Sequence, residues 1–79
     1  MREMDAELAM RIYQQAAERY VDTDTGYHVA VMDALLYGKM KQVMVAYVSE
    51  GDETRLLTIH PLKPGQKDNR LASGRWRKA

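Results

Sequence analysis

The first twenty positions carry hydrophobic residues at helical spacing. Apolar side chains recur at every fourth position, at Met4, Leu8, Ile12, Ala16 and Tyr20. Polar side chains fill the opposite side, where Glu7 lies four residues before Arg11, a spacing that favours an ion pair on a helix surface. The pattern predicts one amphipathic helix over residues 3–20.

A short polar stretch, residues 22–26 (DTDTG), interrupts this pattern. Short polar side chains that bond the local backbone, followed by glycine, are typical of a turn. Two aspartates two positions apart also occur in calcium-binding loops, but the rest of an EF-hand loop is missing here. We therefore predict a turn and no calcium site.

The sequence of residues 27–36 is compatible with either a helix or a strand. Val29, Met32 and Leu36 have helical spacing, whereas the opening Tyr-His-Val-Ala-Val consists mainly of aromatic and β-branched residues, which favour strands. Periodicity alone does not decide between the two. We favour a strand, because the chain continues with further strands after the turn at Leu36–Lys39.

Alternating patterns predict two more strands, over residues 40–49 and 54–60, joined by a loop around Gly51. The first has apolar residues on both faces, so both faces should be covered. In the second, we expect Leu57 and Ile59 to face the first helix. The predicted fold is α+β, one domain over residues 1–79. It has an N-terminal amphipathic helix on a small antiparallel meander, with a basic C-terminal extension.

The C-terminal extension is divided by residues that end strands and helices. Pro61 ends the last strand because proline has no amide hydrogen to donate. Lys63-Pro64-Gly65-Gln66 has the sequence of a type II turn, and residues 67–73 fit one or two helical turns that end at Gly74. Trp76 either folds the segment back onto the sheet or stacks on a base.

Charge is distributed unevenly along the chain. Residues 1–54 contain five Lys/Arg and ten Asp/Glu, whereas residues 55–79 contain seven Lys/Arg and one acid, Asp68. The imbalance favours an anionic partner for the C-terminal segment, the alternative being a solvated basic tail. The chain has no cysteine and no apolar run long enough for a membrane span. We expect a cytoplasmic protein that needs no metal or cofactor and does not associate with a membrane.

The residues between Thr58 and Arg77 include many side chains that donate hydrogen bonds and have no evident place in a core. They are His60, Lys63, Gln66, Lys67, Asn69, Arg70, Ser73, Arg75, Trp76 and Arg77. Cleavage of RNA without a metal needs a base, an acid and cations around the phosphate. His60 could transfer the proton, while Arg70 and Arg75 are candidates to hold the phosphate. The same set would equally suit a protein that only binds RNA.

The segment LLTIHPLKPGQKDNRLASGRW, following a helix, an Asp-x-x-Thr-Gly turn and apolar strands, resembles small RelE-type and colicin-D-type ribonuclease domains. These domains are grouped in the barnase–EndoU–colicin–RelE fold. The resemblance implies metal-independent cleavage of RNA, such as tRNA or ribosome-bound mRNA, and an antitoxin or immunity protein as a second partner. It implies catalytic roles for His60, Arg70 and Arg75.

The resemblance further implies that Gln66 and Ser73 orient the substrate. The remaining donors would bind it, namely Lys63, Lys67, Trp76 and Arg77. Two other functions remain open, a non-catalytic RNA-binding module and an interaction protein that docks an acidic partner. The sequence makes no prediction of oligomeric state.

Overall fold

A computed structural model of the chain describes residues 6–36 and 38–79. The start of the predicted helix, including Met4, and Tyr37 in the predicted turn lie outside the described residues. The elements are α1 (Ala6–Gln15), β1 (Glu18–Asp22), β2 (His28–Leu36), β3 (Lys39–Glu50), β4 (Glu53–Pro61), α2 (Gln66–Ala72) and β5 (Trp76–Lys78). Neither described helix is long and apolar enough to cross a bilayer.

The strands form one five-stranded antiparallel sheet. Strands β1 to β4 pair consecutively as a meander, and β5 returns to pair with β1, which gives the order β4-β3-β2-β1-β5. The prediction of an α+β fold with an N-terminal helix on an antiparallel sheet is confirmed. Residues 27–36, which fitted either structure, form a strand.

Helix α1 packs on one face of the sheet, over β2, β3 and β4. It buries Leu8, Ala9 and Ile12 against a surface in which Ala30 and Ala34 are also buried. Such small side chains let the helix backbone approach the strands closely. We call this side of the sheet the α1 face.

The opposite face is covered by the C-terminal segment. Its buried residues are Tyr20, Val29, Val31, Met44, Ala46, Leu62 and Trp76, with Leu71 of α2 packed against them. We call this side the α2 face. The predicted basic extension is therefore not a projecting tail, because residues 62–78 form a helix on the sheet and its fifth strand. This packing also explains why β3 is apolar on both faces.

The predicted helix over residues 3–20 extends too far. Helix α1 ends at Gln15, and residues 18–22 form β1, in which Tyr20 and Asp22 are buried and Val21 is half-buried. Tyrosine and valine favour strands, and β1 gains ladder hydrogen bonds from β2 on one side and β5 on the other. Pairing with distant strands therefore overrides the helical spacing of Tyr20.

The predicted orientation of β4 is correct for Ile59 and wrong for Leu57. Ala46 is opposite Thr58 and Tyr47 is opposite Leu56, so Leu57 is an additional residue without a partner. Such a bulge shifts the alternation of side chains along the strand. As a result Ile59 packs toward α1, whereas Leu57 packs on the α2 face.

Two of the predicted turns are present. At residues 63–66 the Gln66 N–H donates to the Lys63 carbonyl at 2.9 Å, and Gly65 has φ 79° and ψ −6°. These are the angles that a type II turn requires at its third position, where glycine carries no steric penalty. At residues 22–26 the Gly26 N–H donates to the Asp22 carbonyl at 2.7 Å.

Candidate functional site

The C-terminal segment crosses the α2 face from one outer strand to the other. After β4, the Leu62 N–H donates to the Gln42 carbonyl on β3 at 2.8 Å. Beyond α2, the Thr23 N–H donates to the Arg75 carbonyl at 2.7 Å, and β5 then pairs with β1. The residues predicted to form one site are thus spread across the whole width of the sheet.

His60 lies near the end of the outer strand β4. It is opposite Met44 on β3, so it lies on the α2 face, and its ring is exposed. Its Nδ1 lies 3.2 Å from the Pro61 carbonyl oxygen. A carbonyl only accepts hydrogen bonds, so this contact is a hydrogen bond when Nδ1 carries a proton. In that tautomer of the neutral ring, Nε2 is the nitrogen with a lone pair that could accept a proton.

Arg75 lies at the other side of the sheet, immediately before β5. Adjacent strands are spaced ~4.8 Å apart, so the two outer strands of this sheet are separated by roughly 19 Å. That distance is too large for His60 and Arg75 to contact the same phosphate group. The structure does not bring together these two residues, which were predicted to act jointly.

The guanidinium of Arg75 is held by an acid of the same chain. Its Nε donates to both carboxylate oxygens of Asp22, at 3.3 Å each, and its Nη2 lies 3.9 Å from Asp24. Burial by itself raises the pKa of the Asp22 carboxyl. Hydrogen bonds from the Asp24 N–H and from Arg75 outweigh that effect and hold this pKa below its usual range. Asp22 therefore stays ionised and neutralises Arg75.

Lys67 is neutralised in the same way. Its Nζ lies 2.8 Å from Glu18 Oε1, at the start of β1. The hydrogen bond from Lys67, with one from the Tyr20 hydroxyl, lowers the pKa of Glu18, and the same bond raises the pKa of Lys67. The side chains are 21% and 45% exposed, so the pair is worth little energy, but it occupies the ammonium group.

Gln66 and Ser73 make local bonds that shape the segment. The Gln66 side-chain oxygen accepts from the Lys63 N–H at 2.8 Å, within the type II turn. The Ser73 hydroxyl donates to the Arg70 carbonyl at 3.2 Å and accepts from the Arg75 N–H at 3.4 Å, at the end of α2. Both side chains thus have structural roles in the turn and the helix end.

Trp76 is buried, with 2% of its surface exposed. Its ring stacks on Tyr20 at a centroid distance of 5.7 Å, and the Arg70 guanidinium lies over the indole at 5.5 Å. Partners on the ring leave no free surface for a nucleic-acid base. The interpretation that Trp76 folds the segment onto the sheet therefore agrees with its position. Its indole N–H has no hydrogen-bond partner among the described residues.

Several basic side chains remain without a carboxylate. Within residues 6–36 and 38–79, His60, Lys63, Arg70, Arg77 and Lys78 form no ion pair. The Arg70 guanidinium lies over the Trp76 ring, and Arg77 and Lys78 are the two residues that follow Trp76 in β5. Successive side chains of a strand point to opposite faces, so Arg77 lies on the α1 face and Lys78 on the α2 face. We call Arg70, Arg77 and Lys78 the β5-edge cations.

Sequence reasoning missed a cluster on the α1 face. The Arg19 guanidinium lies 5.4 Å from the ring centroid of Tyr13 and 5.9 Å from that of Tyr47, and His28 stacks on Tyr47 at 5.3 Å. Arg19 had been assigned to the predicted helix over residues 3–20. The neighbouring Tyr20 and Val21, which favour strands, were the local signal that could have placed it on a strand.

A cavity of about 200 Å³ lies where β1 begins, lined by Ala17, Glu18, Val31, Met32, Asp33 and Gln42. Its charged residues are the two acids, so it does not suit a phosphate. No protein-family model, curated protein or solved structure matches this chain significantly. The resemblance to RelE-type ribonucleases therefore stays a prediction.

Proposed function

We propose that this domain binds single-stranded RNA through phosphate contacts along the edge of the sheet formed by β5. The observation that carries the proposal is the set of β5-edge cations, none of which forms an ion pair with a carboxylate of the described residues. Arg75 and Lys67, close by in the sequence, are paired with acids and serve the fold. Phosphate groups would supply the negative charge that the β5 edge lacks. RNA would be met in the cytoplasm, where we propose that the domain acts.

The geometry favours binding with little dependence on base sequence. Trp76, the single tryptophan, has its ring covered by Tyr20 and Arg70 and cannot stack on a base. Contacts from guanidinium and ammonium groups to phosphate oxygens position a nucleic acid but do not distinguish its bases. We expect RNAs of equal length and different sequence to bind with similar affinity.

Fluorescence anisotropy with a short labelled RNA tests this proposal. The double variant Arg77→Gln/Lys78→Gln removes two exposed charges from the β5 edge and should weaken binding. The matched control is Lys39→Gln/Lys41→Gln, which removes two exposed charges from the β2–β3 hairpin and should bind like the wild type. Equal weakening by both variants would contradict a located RNA surface.

The alternative of an acidic protein partner is tested in the same assay. Polyglutamate of matched charge is added as a competitor to the RNA complex. A guanidinium forms paired hydrogen bonds with both carboxylate and phosphate oxygens, so matched charge makes the two ligands comparable. A domain adapted to RNA should retain RNA under these conditions. Displacement of RNA at equal charge concentration would favour the acidic-protein interpretation.

A second candidate function, metal-independent cleavage of RNA, is favoured by the exposed ring of His60 and its contact with Pro61. In the neutral ring with the proton on Nδ1, Nε2 is able to accept a proton. As a base, Nε2 would take the proton of a 2′-hydroxyl, whose oxygen then attacks the adjacent phosphorus. The bond to the 5′-oxygen breaks, that oxygen takes a proton, and the products are a 2′,3′-cyclic phosphate and a 5′-hydroxyl. Lys63, three residues away, would stabilise the charge on the phosphate.

This candidate is tested with RNA that carries either free or methylated 2′-hydroxyl groups. Cleavage should occur only with the free hydroxyl, should persist in EDTA, and should fall by about 10²–10⁴-fold in His60→Gln, the usual contribution of a proton-transferring side chain. Binding should not change in that variant. Cleavage of the methylated RNA would contradict the mechanism. An antitoxin or immunity protein, as the resemblance implies, would then be expected to cover His60.

A further inference from the structure

We infer that Arg19 and His28 form a binding site for a phosphate oxyanion on the α1 face, beside α1. The inference goes beyond the RNA surface proposed at the β5 edge. It rests on the proposed function only in taking RNA as the molecule that supplies the phosphate group. Four observations carry it: an uncovered part of the sheet, a positioned guanidinium, the absence of a counter-ion among the described residues, and further hydrogen-bond donors in register beside it.

Part of the α1 face is not covered by the helix. Helix α1 lies over β2, β3 and β4, so β1 and β5 extend beside it. The side chains that β1 presents there, Arg19 and Val21, are half-buried, and Arg77 of β5 is exposed. A ligand could therefore approach Arg19 from the side of β5.

The Arg19 guanidinium is fixed in position by four contacts. Its Nη1 donates to the Tyr47 hydroxyl at 3.2 Å, and its Nη2 donates to the Tyr13 carbonyl at the end of α1. The rings of Tyr13 and Tyr47 lie beside it, and these two rings pack edge to face at 4.9 Å. A guanidinium has more N–H groups than these two bonds use, so donors remain for a ligand. Its side-chain entropy is already lost before a ligand binds.

No carboxylate of the described residues pairs with Arg19. Two other basic groups at this end of the sheet do have such a partner, since Arg75 pairs with Asp22 and Lys67 with Glu18. A half-buried charge without a counter-ion raises the free energy of the fold, and a bound anion would offset that cost. The Tyr47 hydroxyl accepts from Arg19, so its own proton is free to donate to the same anion.

Two more groups of the right chemistry lie in register with Tyr47. Arg77, Val21, His28 and Tyr47 are successive partners across four strands, which places all four side chains in one row on the α1 face. His28 stacks on the same Tyr47 ring that Arg19 contacts. Phosphate fits this arrangement because its several oxygens accept bonds from guanidinium, imidazole and phenol together.

Two-dimensional ¹H–¹⁵N NMR of the full chain, titrated with inorganic phosphate at constant ionic strength, tests the inference. Chloride is the control titrant. We expect saturable shifts for the amides of Arg19, His28 and Tyr47 with phosphate only. Shifts confined to residues outside this cluster, or equal shifts with chloride, would overturn the inference.

Three variants separate the site from its structural role. Arg19→Lys keeps the charge but not the planar fork and should weaken phosphate binding about tenfold, the loss expected for one charge-assisted hydrogen bond. His28→Phe keeps the stack on Tyr47 and removes the ring N–H, so it should weaken binding with little change in thermal stability. The control Arg55→Lys makes the same exchange at an exposed arginine that pairs with Glu50 and should bind like the wild type. Wild-type phosphate affinity in both cluster variants would overturn the inference.

Adding the labelled RNA distinguishes this inference from the proposed function. If both hold, RNA competes with phosphate for the Arg19 cluster. If RNA binds and phosphate leaves the cluster unshifted, the inference fails and the RNA proposal stands. If phosphate shifts the cluster and RNA does not bind, the oxyanion site stands and the RNA proposal fails.

Discussion

Asp22 joins the first turn of the chain to its C-terminal segment. Its carboxylate accepts from the Asp24 N–H at 2.9 Å and the Thr25 N–H at 3.3 Å, and it also binds the Arg75 guanidinium. With 7% of its surface exposed, it is a buried charged residue in the described part of the chain. This one side chain therefore stabilises the turn, holds the Arg75 guanidinium in position and neutralises its charge.

Replacing Asp22 by Asn tests that role. Asparagine keeps an oxygen for the turn but loses the charge that pairs with Arg75, so we expect the free energy of unfolding to fall by about 1–2 kcal/mol at neutral pH. The pKa of Asp22 is lower in the folded state than the ordinary value of 3.8, so its stabilisation is present above that value and is lost as the pH falls through the folded pKa. Urea unfolding at neutral and acid pH measures the difference.

The difference in stability between wild type and Asp22→Asn should therefore shrink on acidification. A difference that is constant across this range, or that grows toward acid pH, would contradict the ion pair. The control is Asp52→Asn, in the exposed β3–β4 loop, which should change stability little at either pH.

Trp76 affects the stability of the fold in two opposite ways. Its large ring fills the core and stabilises the fold, whereas its buried N–H, which has no acceptor among the described residues, destabilises it. Trp76→Ala should cost about 3–5 kcal/mol, because it empties the space between Tyr20 and Arg70. Trp76→Phe leaves a smaller void, which costs about 1 kcal/mol, but it also removes a buried donor without a partner, which gains a similar amount. Chemical unfolding should therefore find Trp76→Phe close to the wild type. A loss as large as that of Trp76→Ala would mean that the indole N–H does find a partner.

At the scale of the elements, the bulge in β4 decides which residues share a core. Ile59 packs with the α1-face core that contains Ile12, whereas Leu57 packs on the other side of the sheet. A double-mutant cycle of Ile59→Ala with Ile12→Ala should show a coupling of about 0.5–3 kcal/mol in unfolding free energy. The cycle of Leu57→Ala with Ile12→Ala should be additive within about 0.5 kcal/mol. The reverse result would place the bulge elsewhere.

The sequence predicted most strands and turns but not how they combine. Residues 39–50 and 53–61 have patterns that favour strands, so local reasoning located them. Residues 28–36 also fitted a helix and were favoured as a strand partly because further strands follow. Strand β1 was missed because Tyr20 also continued the helical spacing of α1. Its strand structure depends on pairing with β2 and with β5, far along the chain, and no local pattern reveals such pairing.

The candidate site was predicted by residue type and not by position. The basic character of the C-terminal segment was evident, but Arg75 and Lys67 pair with acids more than forty positions away in the sequence. Charge counts along a sequence do not show which charges neutralise each other after folding. Arg19 was missed for the opposite reason, since it lies in the acidic part of the chain and becomes notable only beside Tyr13 and Tyr47.

At the scale of the whole molecule, folding reduces the charge asymmetry of the sequence. The acids of β1 and its turn, Glu18, Asp22 and Asp24, meet cations of the C-terminal segment. Within the C-terminal segment, the basic side chains that form no ion pair among the described residues are then the β5-edge cations and, at the far side of the sheet, Lys63 and His60. We therefore expect RNA to bind at the β5 edge and not along the basic segment as a whole.

The salt dependence of RNA binding tests this central claim most directly. For single strands, the logarithm of the binding constant falls with the logarithm of salt concentration by about 0.7 per phosphate neutralised. Arg77→Gln/Lys78→Gln should therefore reduce the slope by roughly 1.4, because two phosphate contacts are lost. Lys39→Gln/Lys41→Gln, with the same change in net charge, should leave the slope unchanged. An equal reduction in both double variants, or an unchanged slope in the first, would contradict an RNA surface at the β5 edge.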